Sequence, residues 1–154
     1  MLKHSLFTLA TTILTGILAG MMLALVTGCA TTETVTSAEP IDDPFRNAIR
    51  SGSLSEAQTQ AEMDDRLLIV VGTADWCGPC RQMKADTWAD RRVHNWTNRR
   101  ALVYYLDIDE HRDIARSLEI SSIPQIVVFR GDREIDRVVG YRAPDPFLEW
   151  LGEL

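Results

Sequence analysis

Five consecutive apolar residues, Leu67-Leu68-Ile69-Val70-Val71, run closely into Trp76-Cys77-Gly78-Pro79-Cys80. A run this short and without a polar member reads as a strand covered on both faces. Such a strand needs layers on either side of its sheet, and the flanking sequence offers them. Ser53 and Glu56 fit a capping box that opens a helix reaching to about Arg66. A second helix is expected from Gly78 to Ala85, and a third is capped by Asp90, with Val93 and Trp96 on its inner face. Leu102 to Leu106 gives a second strand, and Asp113 to Leu118 a short helix. Ile126–Phe129 and Glu134–Val139 flank Gly131-Asp132 as a hairpin. A last helix runs from Pro146 to the end, with Phe147, Trp150 and Leu151 inward. Helices alternating with strands and closing on a hairpin imply an α/β fold, its mixed sheet covered on both faces.

The 154 residues suffice for one domain with chain to spare, and the net charge of −6 argues against a nucleic-acid partner. The charge is unevenly spread. Residues 1–28 carry Lys3 and no acid, so the rest holds −7 (−6 minus +1). An apolar stretch from Leu6 to Val26 behind Lys3 reads as an export signal, either cleaved or retained as an anchor. Both readings put the remainder outside the cytoplasm, because Lys3 favours an inside N-terminus. Val26-Thr27-Gly28-Cys29 resembles a bacterial lipobox, in which Cys29 would take the lipid that holds the chain to a membrane. Ala30 after it resembles an outer-membrane address, with the inner membrane left open. Residues 29–44 then read as lipid attachment and a Thr-, Glu- and Pro-rich tether, and the domain itself as 45–154. Such a tether spans at most about 50 Å when extended.

A C-x-x-C pair is either half of a zinc site or a redox couple. Zinc needs four ligands, and only His94 and His111 remain to complete them, so no metal is expected. The redox reading has a mechanism. Cys77 would stand at a helix N-terminus, where free amide groups stabilise a thiolate. Cys80, one turn inside, would be shielded and would resolve the mixed disulfide. Pro79 lacks an N–H, which the first helical turn tolerates.

Trp76-Cys77-Gly78-Pro79-Cys80 is the active-site sequence of the thioredoxin family, and the chain resembles that family from about Leu54 to its end. Ile123-Pro124 falls where that fold has its cis-proline loop, and Gly140 where it has the glycine before the last helix. Thr87-Trp88-Ala89-Asp90 with Val93 is closer to the thioredoxin-like domains of periplasmic disulfide-interchange reductases. The resemblance implies a thioredoxin fold with a mixed sheet of about four strands. It also implies substrate contacts at Ile123 and Pro124, and exposure of Trp76 for the same purpose. No cofactor is implied beyond the Cys77/Cys80 couple.

Where cytosolic thioredoxins carry a buried Asp and a neighbouring Lys, this chain has Val71 and Tyr105. That departure bears on proton transfer at Cys80, for which Asp75 is a weak candidate against the plainer reading of a solvated loop acid. Arg91, Arg92, Arg99 and Arg100 read as a solvated helix face, and Met83 and Trp88 as packing under the active-site helix. The expected function is a membrane-tethered, extracytoplasmic thiol–disulfide oxidoreductase. Gly-Pro between the cysteines resembles the reducing members, so protein disulfides are the expected substrates and a transmembrane electron donor the expected partner. The alternative is a tethered binding or assembly module that uses the cis-proline surface with little turnover.

Overall fold

The computed structural model describes residues 41–154. The export segment 1–28, Cys29 and most of the expected tether lie outside the described residues. The described chain begins with a short irregular segment. It continues through α1 (Leu54–Met63), β1 (Leu67–Thr73), α2 (Gly78–Met83), a π-helical stretch (Lys84–Trp88) and α3 (Arg91–Arg100). β2 (Ala101–Asp107), α4 (Arg112–Ser117), β3 (Gln125–Arg130), β4 (Arg133–Val139) and α5 (Pro144–Gly152) complete it.

The four strands lie in the order β2-β1-β3-β4, with β1 parallel to β2 and antiparallel to β3, and β4 antiparallel to β3. β1 occupies the interior and every one of its residues is buried, which accounts for its unbroken apolar run. Alternation divides its side chains between two cores. Ile69 and Val71 join Ile126 and Val128 against Met83, Trp88, Val93, Phe147 and Leu151. Leu68 and Val70 join Val127 and Phe129 against Ala57, Ala61, Ala115 and Leu118. Each of the Val, Leu, Ile, Met and Phe side chains among them contributes about 1.5–3 kcal/mol on leaving water. Gly72 interrupts the bulky run because a Cβ there would stand 3.1 Å from the Ile120 side chain and 3.3 Å from the Gln125 carbonyl oxygen.

Both margins of the sheet are occupied in their own ways. On the β2 side a single parallel bridge joins Ile49 to Tyr104, its N–H donating to the Val103 carbonyl at 2.9 Å and its carbonyl accepting from the Tyr105 N–H at 2.8 Å. On the other side β4 presents Arg133, Glu134, Asp136 and Arg137, with Arg137 paired to Glu134 at 2.6 Å.

Local signals worked best where the controlling bond is also local. The capping box forms as expected, Ser53 Oγ accepting from the Glu56 N–H and Glu56 accepting from the Ser53 N–H. α1 stops at Met63 rather than Arg66, with Asp65 in the left-handed region at φ 52°. Arg66 is thereby released to donate to the carbonyls of Asn98 and Ala101 at the end of α3. On α3 the buried residues are Val93 and Thr97, while Trp96 is only partly covered and lies under the Arg100 guanidinium. Thr97 tolerates burial because its hydroxyl donates back to the Val93 and His94 carbonyls. α5 starts at Pro144 rather than Pro146, since a proline at the first position gives up only an N–H that the helix cannot use.

Candidate active site

The loop leaving β1 turns at Ala74, whose carbonyl accepts from the Cys77 N–H at 3.1 Å. Cys77 is then the N-cap of α2, with extended backbone and its Sγ accepting from the Cys80 N–H at 3.2 Å. Pro79 sits in the first turn. The two cysteines are joined by a disulfide, with Cα atoms 5.3 Å apart. In this oxidised pair Cys77 is as well covered as Cys80, at 3% and 7% exposure. Shielding therefore does not by itself distinguish the two sulfurs, as the sequence suggested it would. Trp76 beside them is exposed, at 65%, and its indole N–H donates to Asp109 at 2.7 Å. That bond ties the loop after β2 to the motif, and the pairing leaves no trace in local sequence.

The Ile123–Pro124 peptide is cis, Ile123 is half-buried, and Pro124 shares a cavity wall with Cys80. The Pro124 carbonyl accepts from the Gly140 N–H at 2.8 Å. Gly140 takes φ 86°, a conformation in which a Cβ is strained, and the sequence marked it by position. The cavity behind the disulfide has a volume of about 260 Å³. Val71 and Tyr105 are register partners across β1 and β2, and both line it. So do Met83 and Trp88 from the active-site helix and its π-helical extension, both buried.

A family model of the thioredoxin-like domain matches residues 54–154. The chain belongs to the thioredoxin-like family. Among its relatives, Thioredoxin-2 of Saccharomyces cerevisiae is 34% identical over 88 residues, covering 57% of this chain and 81% of that protein. The solution structure of a thioredoxin from Thermus thermophilus superposes with a TM-score of 0.60 at 25% identity, over 69% of this chain and 86% of that one. A DsbH oxidoreductase matches in fold with a TM-score of 0.61 at 13% identity, over 80% and 94% of the two chains. The enzyme is a thiol–disulfide oxidoreductase, and proteins of this family act on protein thiols and disulfides.

The segment before α1 also reaches the site. The end of the tether expected over 29–44 is docked on the domain: Asp43 reaches Lys84 at 3.3 Å and Arg50 at 3.6 Å. Burial pushes the Asp43 carboxyl up, but the Phe45 N–H and Lys84 together bring it below its ordinary value. It is ionised at neutral pH. Phe45 packs between the rings of Trp88 and Tyr105, at 5.1 and 4.9 Å, and closes one side of the cavity. Of the arginines on α3, Arg92 is paired with Asp90 and Asp145, as befits a solvated face. Asp75 is exposed; its backbone carbonyl accepts from Arg81.

Proposed function

We propose that this thioredoxin-like enzyme works outside the cytoplasm, tethered to a membrane, and reduces or isomerises protein disulfides. One observation carries the chemistry: the Cys77–Cys80 disulfide lies at the start of α2 with Cys77 as its N-cap. In the reduced pair the Cys80 N–H is placed to stabilise a Cys77 thiolate, which attacks the substrate disulfide. Cys80 then attacks Cys77, releases the substrate thiol and restores the internal disulfide. Trp76, Ile123 and Pro124 are the substrate contacts in this reading, Gly78 and Pro79 set the spacing of the couple, and no cofactor is needed. The charge-free stretch ahead of Gly28-Cys29 supports export, and Cys29 is the proposed lipid attachment. An extracytoplasmic reductase needs electrons from across the membrane, so a transmembrane dithiol donor is its partner.

Trapping tests the reading. In intact cells the Cys80→Ser chain is expected to accumulate mixed disulfides through Cys77 with extracytoplasmic proteins. Adducts with cytoplasmic proteins overturn the location. Partners held without any covalent adduct would favour a binding module instead. The direction of electron flow is read by equilibrating the chain against glutathione buffers. A potential near that of reducing members, about −270 mV, is expected, and a value near about −120 mV makes the protein an oxidant.

A further inference from the structure

The cavity behind the disulfide offers Cys80 no buried carboxylate: the position facing it from β1 is Val71, with Met83, Trp88 and Pro124 alongside. Burial of this kind raises the cost of forming a thiolate. The charged and titratable groups around the cavity come from four places. Tyr105 comes from β2. Asp75 stands in the exposed loop after β1, where its backbone carbonyl holds the Arg81 guanidinium. Lys84 lies one turn beyond Cys80, its N–H donating to the Cys80 carbonyl. Side chains so related share a helix face, with Cβ atoms about 5–6 Å apart. From the segment before α1, Asp43 grips the Lys84 ammonium at 3.3 Å, and Arg50 lies over the Tyr105 ring at 4.5 Å.

We propose that Lys84, its ammonium at the rim of the cavity beside Asp43, is a positioning residue for resolution that stabilises the Cys80 thiolate. This rests on Cys80 being the resolving thiol. In the step concerned, Cys80 Sγ–H loses its proton to solvent water and the thiolate attacks Cys77 Sγ. The Cys77–Cys80 bond forms as the bond from Cys77 to the substrate sulfur breaks. The substrate leaves as a thiolate, two electrons having passed to it from the dithiol. Lys84 supplies only charge. Asp43 partly cancels that charge, so the two residues act on the Cys80 thiolate in opposite directions.

The experiment uses the reduced full chain and dithiobis(nitrobenzoic acid), followed by stopped flow from acid to alkaline pH. The first thionitrobenzoate released reports attack by Cys77, and the second reports attack by Cys80 on the mixed disulfide. Removing the charge of Lys84 from the cavity wall slows the second release at neutral pH roughly 3- to 10-fold and moves its pH midpoint upward in Lys84→Met. Lys84→Arg restores both. Asp43→Asn, which frees the ammonium of its counter-charge, moves the midpoint downward or leaves it in place. The first release is unchanged in every variant and reports an intact site. An unmoved midpoint in Lys84→Met overturns the proposal. So does an upward shift in Asp43→Asn, which would mean that the ion pair only fastens the segment. That second variant decides the matter even if Lys84→Met fails to fold. Absence of a second release in the unaltered chain removes the assignment of Cys80 itself, and the role of Lys84 falls with it.

Discussion

Cys77→Ser is expected to lower the turnover of protein disulfide reduction by at least ~1000-fold, the scale on which losing a covalent nucleophile acts. The hydroxyl is far less acidic than the thiol and forms no disulfide, so neither attack nor internal resolution is left. Cys80 cannot substitute efficiently, since it lies inside α2 and lacks the N-cap position at which the Cys77 sulfur accepts a backbone N–H. The variant carries its own folding control. Cys77 is the N-cap of α2, and serine is among the residues that best satisfy that position. The thermal midpoint of the reduced protein should therefore hold while the rate collapses. Turnover with dithiothreitol as reductant, measured by alkylating the thiols released from a disulfide-bonded protein, checks this. A residual rate above about one-hundredth of the original would show that Cys77 is not the attacking group.

Trp88→Ala is expected to cost about 3–5 kcal/mol of stability. Trp88 is 3% exposed, with Phe45 and Phe147 each at 5.1 Å on either side of it, and Phe147 passes the stack on to Trp150 at 5.3 Å. Removing the indole leaves a void that joins the cavity behind Cys80, because Trp88 already forms part of that cavity's wall. Against the 5–15 kcal/mol typical of a whole domain, the loss leaves the fold marginal. Urea unfolding followed by circular dichroism should show a lower midpoint with an unchanged slope. A loss below about 1 kcal/mol would mean that the neighbouring rings collapse into the gap.

What could be read from sequence follows the range of the forces involved. The strands at Leu67, Leu102 and Ile126 were legible because alternation and burial act residue by residue along the chain. The couple at Cys77 and Cys80 was legible because its spacing and its helix are contiguous. Asp43 and Lys84 were not, being joined across a fold that no local pattern encodes. Trp76 and Asp109 are separated in the same way, by 33 positions. The π-helical stretch at Lys84–Trp88 was likewise hidden: the expected helix ended at Ala85, whereas the widened turn carries on and buries both Thr87 and Trp88. Thr97 was passed over because hydropathy ranks a tryptophan above it, and only the back-bonded hydroxyl explains the reversal.

The margins of the sheet bear on how such an enzyme survives its own substrates. Proteins whose disulfides are being exchanged are often partly unfolded, and unfolded chains expose strands that seek a free edge to extend. Here one edge is bridged at Tyr104 by Ile49, and the other carries the charges of β4, Arg137 paired to Glu134 among them. A client is thereby discouraged from zipping onto the sheet as an additional strand and nucleating co-aggregation. Handling is left to the reversible bond at sulfur, so encounters end in release rather than in polymer.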